Sequence, residues 1–249
     1  MTDSPERVAI IGATSAIAEA AARIWAAGGA RLALVGRNAV RVEAIGADLR
    51  VRGATQVETF VADCAQADPP SLVKRIVEML GGLDVALLAY GALGDQAQCE
   101  RDPDAMDDLL RVNFTSAAAW CQAITAVLER QRSGALLVIG SVAGDRGRAS
   151  NYVYGASKAG LGVFVEGVAH RLARAGASAV LIKPGFVDTP MTAGVANKGA
   201  LWARPEAVAQ IIVASAHRGR PVVYAPWFWR VIMLVVRNIQ SAIFHKTKL

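Results

Sequence analysis

Seven short apolar runs recur along the chain: RVAIIG (7–12), RLALVG (31–36), VETFVAD (57–63), LDVALLAYG (83–91), GALLVIGS (134–141), SAVLIKPG (178–185) and PVVYAP (221–226). Each is ended by turn chemistry or a polar residue, as strands are. Their near-continuous hydrophobicity is what strands covered on both faces require. Between them lie segments of helical period, among them SAIAEAAARIWAAG (15–28) and DPPSLVKRIVEMLGG (68–82). Strand and helix in alternation imply right-handed crossovers, so the pattern predicts an α/β fold with a doubly wound parallel sheet of seven strands. That domain takes residues 1–225. Residues 226–249 read as an apolar C-terminal helix with a basic tail, not as a separate domain.

Composition narrows the class. Of 249 residues, 53% are hydrophobic and 19% charged, enough to bury a sizeable core. The net charge of +6 suits anionic partners such as phosphate cofactors or acidic lipids. No interleaving of aromatic and basic residues marks a nucleic-acid surface, so none is expected as a partner. Cys64, Cys99 and Cys121 are odd in number and unpaired by spacing. That fits a reducing cytoplasm and neither a disulfide framework nor a zinc site. His170, His217 and His245 lack metal-ligand spacing, so no metal is expected. The N-terminus has no basic region followed by an apolar run, which argues against secretion.

The first strand passes through Gly12 directly into a helix, a turn that lets backbone N–H groups and the positive helix end meet a pyrophosphate. Glycines at 12, 16 and 18 would complete the usual spacing, but Ala16 and Ala18 occupy the last two places. Thr14 and Ser15 offer hydroxyl donors beside Ile17. After the second strand an NAD-selective site needs a carboxylate for the ribose hydroxyl; this chain has Gly36 and Arg37. Arg37 suits a 2′-phosphate and favours NADP(H), with NAD(H) the alternative. Asp63 ends the third strand, where it would either bind the adenine amino group or cap the next segment.

Tyr154 and Lys158, four residues apart, share one helix face. Ser141 closes a buried strand at the carboxyl edge of the sheet, where doubly wound folds bind ligands. Asn113 interrupts an apolar helical segment, and a structural hydrogen-bond partner would suffice to explain it.

Together these residues resemble the short-chain dehydrogenase/reductase family of the one-domain, Rossmann type, over nearly all of residues 7–225. The matching elements are Gly12, Asp63, Gly91, Asn113, Ser141, Tyr154 with Lys158, and KPGFVDT at 183–189. The resemblance implies a catalytic set of Asn113, Ser141, Tyr154 and Lys158. It also implies a nicotinamide pocket lined by Pro184, Gly185, Val187 and Thr189, and a homodimer or homotetramer. The family's Asn-Asn-Ala-Gly reads Leu88-Ala89-Tyr90-Gly91 here, which removes a side-chain hydrogen bond. In the implied chemistry Lys158 and the nicotinamide's positive charge lower the pKa of Tyr154. Ser141 binds the substrate oxygen, Asn113 holds a relay water, and Tyr154 moves a proton to or from a carbonyl. Tyr152 would line the substrate cleft. Without that set, the fold would serve a non-catalytic nucleotide-binding or scaffold protein.

Arg146 and Arg148 follow Ser141 and would either bind a substrate phosphate or form a solvated loop. From Trp227 to Phe244 a single helix would run about 27 Å, with Arg230, Arg237, Ser241 and Lys248 on one stripe. A span would bury its arginines, so the helix is expected in the plane of the cytoplasmic membrane face, in a subunit contact, or packed on the core. This tail and the loop after Ser141 loosely resemble reductases acting on decaprenylphosphoryl-2-keto pentose, which implies a lipid-linked or sugar ketone.

Overall fold

Aliphatic residues of β1 (Arg7–Ile11) alternate between two cores, Val8 and Ile10 facing one layer of helices, Ala9 and Ile11 the other. That two-sided demand explains the continuous apolar runs. The computed structural model describes residues 4–195 and 198–247. Its main sheet has seven parallel strands in the order β3-β2-β1-β4-β5-β6-β9. They are β1, β2 (Arg31–Gly36), β3 (Gln56–Val61), β4 (Val85–Leu88), β5 (Ala135–Ile139), β6 (Ser178–Pro184) and β9 (Val222–Ala225). The seven predicted runs are the seven strands. A two-stranded ribbon, β7 (Phe186–Val187) with β8 (Trp202–Ala203), was not legible in the sequence.

Helices α1 (Ala16–Ala27), α2 (Ala39–Val51) and α8 (Pro205–Ser215) contribute to one core, with Ala18, Trp25, Leu49 and Ile212 buried. Helices α3 (Pro69–Leu80), α6 (Ser116–Gln131) and α7 (Tyr152–Ala173) contribute to the other through Ile76, Trp120, Ile124 and Val165. Short helices α4 (Gln96–Arg101) and α5 (Pro103–Leu110) lead into a π-helical turn, Arg111–Thr115, and then α6. Strand order reverses between β1 and β4, and the crevice at their carboxyl ends is where such sheets bind ligands.

The C-terminal segment differs from the expected single helix. It forms α9 (Trp229–Asn238) and α10 (Ser241–Phe244), separated by extended backbone at Ile239 and Gln240. Pro226 lies in the turn ahead of α9, its carbonyl accepting from the N–H of Trp229 at 3.2 Å. Among the described residues no helix is long and apolar enough to cross a membrane. Lys248 of the expected stripe lies outside the described residues. Trp229 and Met233, one turn apart on α9, are buried against Val142. Val231, Leu234 and Val235 face outward.

A buried carboxylate fixes the carboxyl edge near this segment. Asp145, in the 3₁₀ turn Val142–Asp145 after β5, accepts from Lys183 Nζ of β6 at 2.6 Å and from Tyr224 Oη of β9 at 2.7 Å. Its side chain is 1% exposed and that of Lys183 13%. Removing one partner of a buried pair leaves an uncompensated charge. We therefore expect Lys183→Met to lower unfolding free energy by about 3 kcal/mol, read by urea denaturation; a loss under about 1 kcal/mol would fit only a solvent-screened pair.

Candidate active site

Four loops at the carboxyl edge and one face of α7 build the site. Gly12 follows β1 with φ +89°, a conformation that favours glycine, and a Cβ there would meet Tyr90 Cβ at 2.7 Å. The N–H groups of Gly12 and Ala13 both donate to Val35 O at 2.9 Å, which folds the turn against β2. Ser15 makes no side-chain cap on α1, so the first N–H groups of the helix have no capping side chain. This suits a pyrophosphate. Ala18 is fully buried in the core, so its methyl replaces glycine at a helix–sheet contact. Thr14, Ser15 and Ala16 are half-buried at the turn, and Ile17 is buried.

Asp63 Oδ1 accepts from Ala65 N at 2.9 Å, and its carbonyl accepts from Gln66 and Ala67. The capping role is therefore present. Arg37 is exposed directly beyond β2.

Ala89 stands at the family's second asparagine, and the next residue, Tyr90, makes a different tie. Its hydroxyl lies 2.7 Å from Ser116 Oγ, which in turn donates to Val112 O within the π-helical turn. The loop after β4 is thus bound to the start of α6 through a phenol, a connection the sequence did not disclose.

Asn113 is 1% exposed and fully engaged. Its Nδ2 donates to Ala92 O at 2.8 Å and Ser157 Oγ at 3.2 Å, while Ala92 N donates to Oδ1 at 2.8 Å. The amide pins the backbone next to Gly91 and reaches α7. A Cβ on Gly91 would lie 2.9 Å from Asn113 Oδ1 and 3.5 Å from Lys158 Nζ, so close approach requires glycine.

Lys158 is buried, its Nζ donating to Ile139 O at 3.1 Å and lying 6.0 Å from the Tyr154 ring centre. Burial lowers its pKa to about 8. Ser141 Oγ accepts from Ala143 N at 3.1 Å and lies near enough to the Tyr154 hydroxyl to act on its pKa. Burial raises the Tyr154 pKa and Ser141 opposes the rise. The chain's own surroundings favour the neutral phenol, and the lowering expected from the sequence depends on the nicotinamide's positive charge as well as on Lys158.

Three expected substrate residues separate in role. Arg146 Nη1 donates to Val236 O at 2.7 Å, Arg237 O at 3.0 Å and Ile239 O at 2.7 Å, and its guanidinium lies 3.8 Å from the Phe244 ring centre. It caps α9 instead of offering this edge to a phosphate. The Arg148 side chain is half-buried without a hydrogen-bond partner among the described residues, and desolvation lowers its pKa. Tyr152 is 45% exposed, near Glu100 and Gln96 of α4. Pro184, Gly185 and Val187 follow one another from the end of β6 into β7. Thr189 closes a capping box with Thr192.

A family model described as short chain dehydrogenase matches residues 6–199. An uncharacterized oxidoreductase of Mycobacterium tuberculosis is 35% identical over 241 residues, 96% of both chains. Another from Streptomyces coelicolor is 32% identical, over 97% of this chain and 96% of the relative. Among solved structures, levodione reductase superposes with a TM-score of 0.79 at 23% identity, covering 88% of this chain and 96% of that one. A putative short-chain alcohol dehydrogenase from Sinorhizobium meliloti gives 0.81 at 22%, covering 92% and 98%. The two structures support the fold. The chain belongs to the short-chain dehydrogenase/reductase family, whose members are NAD(P)-dependent oxidoreductases.

The buried ammonium has a thermodynamic signature. A lysine whose folded pKa lies below its unfolded value penalises folding fully below the folded pKa; the penalty disappears as pH rises toward the unfolded one. Relative to Lys158→Met, wild type should therefore gain up to about 3 kcal/mol between pH 8 and about 10.5, read by denaturation at each pH. A constant difference would place the ammonium in solvent.

Proposed function

We propose that this chain is an NADP(H)-dependent carbonyl reductase or alcohol dehydrogenase in which Tyr154 is the general acid/base. The observation that carries it is Tyr154 beside Ser141 at the carboxyl edge, on the helix that also buries Lys158 with its Nζ 6.0 Å from the Tyr154 ring centre. When bound, the cofactor supplies or accepts the hydride. Ser141 binds and orients the carbonyl oxygen, and Tyr154 donates its proton to that oxygen in reduction or removes it in oxidation. Lys158, a cation with a pKa of about 8, stabilises developing phenolate and offers donors to ribose hydroxyls. Asn113 fixes Ala92 and hence the Gly91 backbone beside both.

The α1 end and the Gly12 turn would hold the pyrophosphate, with Thr14 and Ser15 adding donors. Asp63 Oδ2 would accept from the adenine amino group. At Gly36 a Cβ would meet Val42 Cγ2 at 2.7 Å, which disfavours the carboxylate side chain an NAD site needs there. Arg37 next to it supplies a guanidinium for a 2′-phosphate. Pro184, Gly185, Val187 and Thr189 would line the nicotinamide. Arg148, half-buried without a counter-charge, favours a substrate with an anionic group, in keeping with a phosphate-linked ketone.

The outer face of α9 favours a peripheral lipid contact. Val231, Leu234 and Val235 are exposed there, with Trp227 74% exposed before the helix. After Glu206 the chain has no acidic residue; Arg218, Arg220, Arg230, Arg237, Lys246 and Lys248 equal the whole net charge of +6. Apolar side chains flanked by arginines fit an anionic bilayer surface.

Tyr154→Phe should lower turnover by at least about 10²-fold while cofactor affinity holds, and Tyr152→Phe should keep most activity. Equal losses in steady-state kinetics would refute the assignment. Arg37→Asp should weaken NADPH relative to NADH by about 1.5–3 kcal/mol, measured by fluorescence titration; an unchanged ratio would remove Arg37 from the phosphate site. Because Trp229 and Met233 are buried, deleting the tail would damage the fold, so surface substitutions test the membrane contact. Wild type should co-sediment with phosphatidylserine vesicles at low salt, and Leu234→Glu with Val235→Glu should abolish this. If wild type stays in the supernatant while the double variant dissociates an oligomer, the face belongs to a subunit contact.

A further inference from the structure

Helix α7 carries Tyr154 as its third residue and Lys158 one turn deeper. The helix does not secure the two equally, because the first four N–H groups of a helix have no partner inside it and helix ends fray. Lys158 lies beyond that turn, anchored through Nζ to Ile139 O. Asn151 stands at the cap position but makes no side-chain cap bond; only its carbonyl serves the helix, accepting from Gly155 N at 2.8 Å. A side-chain acceptor comes instead from a distant element. Gln96, the first residue of α4, accepts from Val153 N through Oε1 at 3.1 Å, across 57 residues of chain. Its Nε2 donates to Glu100 Oε1 at 3.1 Å, which leaves Oε1 turned to α7.

We propose that Gln96 is a positioning residue for Tyr154: its side chain caps the first turn of α7 from outside and so holds the phenol toward Ser141. The proposal rests on the reading of Tyr154 as the general acid/base. The segment that carries Gln96 is itself held in place. Asp95 caps α4 by accepting from Gln98 N at 3.2 Å. A Cβ on Gly94, whose φ is +70°, would lie 2.6 Å from Leu109 Cδ2, so this loop packs directly on α5. Cys99, Leu109 and Val153 form a small buried cluster, with Ala92 and Tyr154 packed against it. Ala92 is also the residue that Asn113 pins, which fixes the loop ahead of Gln96. At the same turn of α7, a Cβ on Gly155 would come within 3.0 Å of Ala143 O, so the helix also lies directly on the loop after Ser141. Tyr154 thus stands where α7 is held by the Ser141 loop and by Gln96.

The test follows ionisation of Tyr154 in the full chain by ultraviolet phenolate absorbance, with and without NADP⁺. Subtracting the Tyr154→Phe trace isolates it among the four tyrosines. In wild type the positive nicotinamide should let Tyr154 ionise about one pH unit lower or more. Gln96→Met keeps the length of the side chain and loses the acceptor. A loosened turn admits water to the phenol in the free protein and moves it from the positive charges in the complex. Both effects shrink the difference made by NADP⁺, to under about half of its wild-type size. Gln96→Glu with Glu100→Gln exchanges the pair and keeps an acceptor for Val153, so it should restore the difference. Amide hydrogen exchange at Val153 should quicken in the single variant and slow again in the double one. An unaltered NADP⁺ effect in Gln96→Met overturns the proposal, whatever the exchange at Val153, and leaves the acid/base reading standing. A double variant as reduced as the single one overturns it too. If NADP⁺ does not move Tyr154 in wild type, the acid/base reading falls and the proposal falls with it.

Discussion

The site depends on burying the Lys158 ammonium. Desolvating such a charge is costly, and Ile139 O at 3.1 Å offsets only part of it; the remainder appears as a pKa lowered to about 8. Several neighbouring features follow from making room for that group. Gly91 has no side chain because a Cβ would crowd Lys158 Nζ and Asn113 Oδ1. Asn113 spends its amide on Ala92 and Ser157, keeping the loop after β4 and the helix carrying Lys158 at fixed separation. The π-helical turn that carries Asn113 is a form of helix found often at functional sites. Tyr154, on the same helix, is held neutral by burial until a nearby positive charge changes the balance.

A second set of contacts makes the C-terminal segment part of the carboxyl edge. Asp145 and Arg146 directly follow the strand-end loop of Ser141. One binds Lys183 and Tyr224, the other the carbonyls that end α9. Trp229 then reaches Gly185 from α9. A change in this segment should thus be felt by both the Ser141 and Gly185 loops, through rigid contacts and not through length of chain.

The architecture was legible because two-sided burial writes itself locally: the central strands of the main sheet are continuous apolar runs, and helices such as α1 and α3 between them keep their period. The positions of Ser141, Tyr154 and Lys158 in the fold were legible because spacing on a helix and position at a strand end are local facts. Partners set by long-range packing were not. Arg146 read as a phosphate ligand or part of a solvated loop, since its carbonyl acceptors lie at least 90 residues away. The amide partners of Asn113 were not legible because nothing in the sequence shows Ala92 and Ser157 beside it. The break at Ile239–Gln240 carries neither Pro nor Gly, so the tail read as one helix. Trp229 read as part of a helix meeting a membrane or another subunit; only the fold turns it inward. The burial that raises the Tyr154 pKa was not legible because desolvation cannot be seen in spacing.

The central claim is that a buried cation with a pKa of about 8 and a neutral phenol face the nicotinamide together. The most direct measurement is proton release on cofactor binding, by titration calorimetry at pH 8 in buffers of different ionisation enthalpy. The oxidised nicotinamide carries a positive charge that favours deprotonation of both groups; the reduced ring does not. Protonation at the 2′-phosphate is common to the two ligands and cancels in their difference. NADP⁺ should therefore release more protons than NADPH, and Lys158→Met should remove most of the excess. Equal proton release by the two cofactors would contradict the account.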